Sequence, residues 1–344
     1  MSDDYLWDRS GPPDEEIAAL ERLLAPLGQR HPTSLPPALV APAPGRRGPA
    51  SYVILPLAAA AALVLAVAPR WLAHPAPANA PSWSVVEVEG PASIASRSID
   101  EHSTLSVGQL LRTGVTGRVS LELGPVGHID VGPSTDVSLV PASSGHYRFR
   151  LHSGAISAFI WADPGQFFVE TRSSLAVDLG CAYTLDVDGR GEGTLRVTTG
   201  WVGFQMRDRQ ALIPAGAMCR TRAGRGPGTP YFEDAPAALR AAIETIDFGD
   251  RGAARDAAID AAISSSRPRD ALTLWHLLRR VDGPACDRVY DRLSALVPPP
   301  PDVTRDGVRA GNTQMLEQWW DRLGLGDTQW WHLMSRPWTE PTAR

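Results

Sequence analysis

The sequence predicts a membrane-anchored, multidomain chain: one transmembrane helix, then an all-β antiparallel domain, then an all-α domain of helical hairpins. Three observations predict it. An apolar run without acidic or basic residues until its end, "SYVILPLAAAAALVLAVAPRWL", begins at Ser51. Hydrophobic residues then alternate with period two between Trp83 and Tyr231, and the spacing turns helical from Pro236. At 344 residues the chain exceeds one typical core, so several domains are expected. The formal charge of −5 argues against a nucleic-acid surface, which needs clustered positive charge. No Lys occurs, so all 33 Lys+Arg residues are Arg; with 31 Gly and 31 Pro this reads as coding bias rather than phosphate chemistry.

Residues 1–30 read as a short amphipathic helix. Pro12 and Pro13 suit its first turn, and Asp14, Glu15 and Glu16 complement the positive end of the helix dipole. Ile17, Leu20, Leu24 and Leu27 fall on one face, with Tyr5, Leu6 and Trp7 ahead of them. So short a segment cannot bury that stripe alone, which leaves two readings: a helix that docks on a partner, or a loosely ordered tail on the membrane. Residues 31–50 form a Pro/Ala linker.

Residues 51–72 are expected to span a bilayer, because about 20 helical residues cover the ~30 Å hydrocarbon layer. Arg46 and Arg47 precede the run, and Arg70 and Trp71 follow it; this places the N-terminus in the cytoplasm and Trp71 at the interface. The expected location is the inner membrane, single-pass, with the later domains periplasmic. Two alternatives stay open. Ala78-Asn79-Ala80 after the run resembles a signal-peptidase site, although roughly 50 residues precede the run; a soluble helix is the other.

After a linker at 73–82, the segment 83–231 repeats short alternating strands divided by Gly, Pro, Asp or Ser. In "RVSLEL", for instance, Val119, Leu121 and Leu123 share one face. The succession "LLRTGVTGRVSLEL", "GHIDVGPSTDVSLV", "FRLHSGAISAFI", "FFVETRSSLAVDLGCAYTLDV" and "LRVTTGWVGF", over roughly Leu105 to Phe204, resembles the FecR family of single-pass membrane regulators. The resemblance implies a solenoid-like periplasmic β domain, a cytoplasmic anti-sigma segment and a sigma factor as partner. Tyr5, Leu6, Trp7, Ile17, Leu20, Leu24 and Leu27 would then be the sigma-contacting residues. Two features depart from the family: Gly180-Cys181-Ala182-Tyr183 stands where Gly-Thr usually precedes the aromatic, and the N-terminal segment is unusually short.

Segment 235–344 contains four helical stretches, "PAALRAAIETID", "AARDAAIDAAISS", "PRDALTLWHLLRRV" and "PACDRVYDRLSALV", that read as two stacked hairpins. The pairs Trp319–Trp320 and Trp330–Trp331 either fill a core or offer a stacking surface.

No catalytic constellation stands out, so an enzyme is not expected, nor is any cofactor. The eight histidines show no metal-ligand spacing, and Cys181, Cys219 and Cys286 show no zinc spacing. Outside the cytoplasm a Cys181–Cys219 disulfide is one reading; inert thiols are the other. Asp130, Asp178 and Asp186 occupy alternating strand positions and read as a solvated face. Two functions remain: a regulator that senses an envelope signal and controls a sigma factor, or an envelope-anchored module that binds a glycan or a protein.

Overall fold

The structure, a computed structural model, describes residues 82–326 apart from 143, 144 and 208. The alternating segments form eighteen strands that join into one open sheet with two wings. The first wing runs β4 (Thr104–Ser106), β1 (Ser82–Glu89), β6 (Arg118–Leu123), β7 (Gly127–Val131), the second half of β9 (Tyr147–Ile160), β12 (Ala182–Val187), β13 (Gly193–Thr199) and β16 (Ala217–Arg222). Short strands β17 (Gly226–Pro227) and β18 (Tyr231–Phe232) pair with β16. The second wing runs β3 (Arg97–Ser98), β2 (Ala92–Ile94), β5 (Leu110–Thr113), β8 (Asp136–Val140), the first half of β9, β10 (Phe167–Glu170), β11 (Leu175–Asp178), β14 (Trp201–Met206) and β15 (Arg209–Pro214). Every pairing is antiparallel except β9 with β10.

Strand β9 belongs to both wings, and Gly154 marks the change. Residues 148–153 pair with β8, whereas 154–159 pair with β12. Gly154 has φ of 97°, and a Cβ there would lie 2.2 Å from the Thr135 hydroxyl. That hydroxyl is engaged: it accepts a hydrogen bond from the Ala155 N–H at 2.9 Å and donates to the Pro133 carbonyl at 3.0 Å. Only glycine meets both demands, a left-handed backbone and room for the neighbouring strand.

Inward faces of the two wings share one core. Trp83 on β1 packs its indole 5.7 Å from the Phe149 ring of β9 and 5.9 Å from the Phe167 ring of β10. The solenoid-like domain implied by the family resemblance does not form. Its coils would have to repeat, but here strand length varies from 2 to 14 residues and the sheet stays open. At its limits β3, β4 and β15 each have one strand partner among the described residues.

The helices are α1 (Ala237–Phe248), α2 (Ala253–Ser265), α3 (Ala271–Leu277) after a 3-10 turn, α4 (Gly283–Leu296), α5 (Arg305–Arg309) and α6 (Thr313–Arg322). They do not make the separate all-α domain expected from their periodicity. Leu239, Ile243, Leu274, Trp319 and Trp320 are buried in the same cluster as the sheet residues. The physical reason is burial: residues of α1, α3 and α6 complete the same apolar cluster that the sheet begins, so helices and sheet share one core. Trp319 and Trp320 are therefore core; Trp330 and Trp331 lie outside the described residues.

The expected transmembrane helix is not among the described helices: none of them is long and apolar enough to cross a membrane. The longest has 14 residues, short of the ~20 that a bilayer needs. The run 51–72 on which the expectation rested lies outside the described residues.

Two substitutions test this packing. Gly154→Ala should cost about 2–4 kcal/mol through left-handed strain and the clash at Thr135. Trp319→Ala should cost about 3–5 kcal/mol as a core truncation. Denaturant melts of both variants check the pair; a Trp319→Ala protein as stable as the parent would remove that residue from the core.

Candidate functional site

The expected site residues do not enter this description. Tyr5, Leu6, Trp7, Ile17, Leu20, Leu24, Leu27, Arg46, Arg47, Arg70 and Trp71 all lie outside the described residues. What the structure brings together instead is a joint between the helices and the second wing of the sheet.

Strands β14 and β15 form an antiparallel hairpin, Trp201↔Pro214 through Met206↔Arg209. Consecutive residues such as Val202–Gln205 and Ala211–Pro214 are buried, so the period-two pattern is lost because helices cover the outer face. Between this hairpin and helices α3 and α6 lies a cavity of about 60 Å³, bordered by Phe204, Gln205, Gln210, Leu212, Trp275, His276, Arg279 and Leu316. It offers an apolar floor with carboxamides, a guanidinium, the Thr313 hydroxyl and the Glu317 carboxylate beside it, a lining suited to a small, partly polar guest.

Three sets of bonds close the joint. First, His276 is wholly internal: Nδ1 lies 2.9 Å from the Leu272 carbonyl and Nε2 lies 3.1 Å from the Leu212 backbone nitrogen. Nδ1 must donate and Nε2 must accept, which specifies the neutral tautomer. Burial pushes its pKa down to about 3, in keeping with that assignment. Second, Trp275 stacks edge-on with Trp320 at 4.9 Å and donates from Nε1 to the Leu316 carbonyl at 2.7 Å.

Third, the buried pair Arg280–Asp247 clamps helices to strands. Arg280 donates to an Asp247 carboxylate oxygen at 3.1 Å and to the carbonyls of Pro227, Gly228 and Gln210 at 3.1, 2.9 and 3.3 Å. Asp247 also accepts from the Thr229 N–H at 2.5 Å and the Thr229 hydroxyl at 3.1 Å. Nearly every polar valence of the pair is used, which is what makes a buried ion pair tolerable.

A second buried group was missed by the sequence reading. Asp178 is 1% exposed, not on a solvated face, because the last three residues of β11 are buried on both sides. Its carboxyl accepts from the Gly180 N–H at 2.8 Å and from the Cys181 thiol at 2.6 Å. No cation among the described residues balances it, and burial pushes its pKa up to about 7. The same burial, with Asp178 alongside, drives the Cys181 thiol and the Tyr183 phenol upward. By contrast the side chains of Asp130 and Asp186 are about half exposed, at 48% and 52%. The one clue in the sequence was the run "LAVDLG", whose apolar residues sit on both sides of the aspartate.

All three cysteines are free and buried. Cys219 is level with Leu195, and Leu195 with Leu185, so Cys219 stands two strands across and four residues along from Cys181. At about 4.8 Å per strand and 3.4 Å per residue, that separation is far beyond the ~7 Å Cα limit of a disulfide. The Cys181–Cys219 bond is thereby excluded in this fold.

No protein-family model matches the chain, and no curated protein matches it. Among solved structures, two crystal structures of a provisionally assigned anti-sigma factor from Parabacteroides distasonis ATCC 8503 are similar to it. The likeness is slight: TM-score 0.32 and 15% identity in both cases, over 39% of this chain. The aligned part spans 63% and 62% of those proteins, under two thirds of their length.

Two outcomes follow from the buried charges. Removing one partner of the clamp, by Arg280→Ala or Asp247→Ala, should cost about 3–5 kcal/mol, and the double variant should cost less than the sum. A strictly additive double-mutant cycle would show that the pair acts as two independent contacts. For Asp178 the folded pKa stands above the unfolded value of ~3.9, so the folded state holds the extra proton. Its contribution to stability is full below about pH 4 and is lost as pH rises through about 7. His276 acts oppositely, contributing above ~6.5 and losing that contribution as pH falls through about 3. Asp178→Asn should therefore gain stability relative to the parent as pH rises from 5 to 8, by roughly 1–4 kcal/mol; parallel melting curves across that range would contradict the buried, proton-holding carboxyl.

Proposed function

We propose that the chain is a non-catalytic regulator whose folded unit receives an envelope signal and whose N-terminal residues 1–30 hold or release a sigma factor. In this reading the run 51–72 lies at the boundary between compartments, with the N-terminus cytoplasmic and the folded unit periplasmic at the inner membrane. One observation carries the reading. The quoted FecR-like segments coincide with consecutive strands: "LLRTGVTGRVSLEL" is β5–β6, "GHIDVGPSTDVSLV" is β7–β8, "FRLHSGAISAFI" lies within β9, and "LRVTTGWVGF" is β13–β14. The motif order thus corresponds to the structural units of the sheet. The cavity at the helix–sheet joint adds a place where a bound guest could bias the packing of α3 and α6 on β14 and β15.

A second reading, an envelope-anchored binding module without sigma-factor control, is favoured by a different feature: the outward rings of Phe159 and Trp161, 47% and 58% exposed.

A stub deletion separates the two. Residues 1–45 should co-purify a sigma factor, Leu20→Asp with Leu24→Asp should abolish that capture, and removing residues 1–30 should change transcription from the dependent promoters. Unaltered output from every sigma-dependent promoter after the deletion would eliminate the regulator reading and leave the binding module.

A further inference from the structure

The outer face of β1, β6, β7 and β9 carries chemistry that the joint does not use. Side chains alternating away from the core here include Ser157 and Phe159 on β9, His128 and Asp130 on β7, and Ser120 on β6. Register makes them neighbours: Phe159 stands opposite His128, Ser157 opposite Asp130, and Asp130 opposite Ser120. Trp161 follows directly after the end of β9 and is 58% exposed. The His128 ring lies 6.3 Å from that of Phe159.

Beside the rings runs a shallow groove of about 280 Å³, bordered by Glu87, Glu89, Arg118, Ser120, Asp130 and Ser157. Asp130 is set in place within it. Its Oδ1 accepts from the Ser120 hydroxyl at 2.6 Å and lies 2.8 Å from His128 Nε2. The carboxylate stays about half exposed, which leaves acceptor capacity directed to solvent.

Three properties select the occupant. Phe159 has His128 and Ala182 opposite it on the two neighbouring strands, unlike a protein–protein interface core, which is contiguous, apolar and depleted of charge. The groove sets three carboxylates against one guanidinium, so it repels polyanions such as nucleic acid, phosphate headgroups and uronates. Flat rings next to carboxylate and hydroxyl acceptors match a ligand with apolar C–H faces and O–H donors at its edges. A pyranose has that division, and a β-1,4-linked chain of them is a ribbon that repeats it.

We propose that this face binds an uncharged β-1,4-linked glycan chain, one sugar stacked on Phe159 and Trp161 and the next ones laid along the groove with hydroxyls on Asp130, Glu87 and Glu89. The assignment names a ligand for the folded unit as the receiving part and rests on that part of the reading above; sigma-factor control is not needed for it.

Full-length protein, kept free of glycosidic detergents, is titrated calorimetrically with cellohexaose, chitohexaose and polygalacturonate. Saturable binding of cellohexaose or chitohexaose is expected, and which of the two binds distinguishes a plain from an N-acetylated ribbon. Polygalacturonate should not bind. Trp161→Ala should weaken the interaction at least tenfold with the melting temperature unchanged, because that ring is exposed, and Asp130→Asn should weaken it severalfold. The proposal is overturned if neither hexaose binds at millimolar concentration, if Trp161→Ala binds as the parent does, if the polyanion binds best, or if Trp161→Ala instead splits an oligomer of this chain. Promoter output after deletion of residues 1–30 reports on the regulator alone, so the two failures are distinguishable.

Discussion

The two wings of the sheet are joined through β9. It pairs with β7, β8, β10 and β12, and it changes wings at Gly154. The constraint is steric: a side chain at that position would occupy the space of Thr135, whose hydroxyl already bridges the Pro133 carbonyl and the Ala155 amide. A strand that bends at a fixed place holds two inner faces against each other, and Trp83, Phe149 and Phe167 fill the gap so formed. Close-packed interiors transmit such placements, because a displaced ring leaves a void with no partner atoms.

The helices depend on that arrangement through a second device. Arg280 reaches from the end of the α3 segment to the carbonyls of Gln210 on β15, Pro227 on β17 and Gly228 just after it, while Asp247 on α1 takes hydrogen bonds from Thr229. Neither charge could be buried alone. Together they register α1 and α3 on the β15–β17 region, and the neutral ring of His276 adds a directional bond to the Leu212 amide. The cavity bordered by Trp275, His276 and Leu316 lies at this same joint. A joint held by directional bonds around a small space has few packings available, which is the property a ligand-biased element requires.

The two faces of the protein differ in kind for the same reason. The side of β10, β11, β14 and β15 is covered, so even an aspartate there is stripped of water and keeps its proton to about pH 7. The opposite face of β6, β7 and β9 remains wet, and there carboxylates, hydroxyls and two aromatic rings stand in the open. Chemistry available to partners is thus confined to strands that keep one wet face.

Much of this was legible before any coordinates. Alternation in "RVSLEL", "HIDV" and "TLDV" reports one wet and one dry side, and the pattern is local, so β-rich structure between Trp83 and Phe232 follows from it. Helical spacing and the Pro residues likewise mark where the C-terminal helices run. Periodicity states that a face is covered, however, and not what covers it. Only pairing between residues far apart in the chain decided that the helices share a core with the sheet instead of forming their own domain. It also decided that Asp178 is buried while Asp130 is not, and that Cys181 and Cys219 stand too far apart to bond. Alternation in a single strand cannot distinguish one shielded side from two, because the second cover arrives from residues distant in the chain, as His276 does over Leu212, 64 positions earlier.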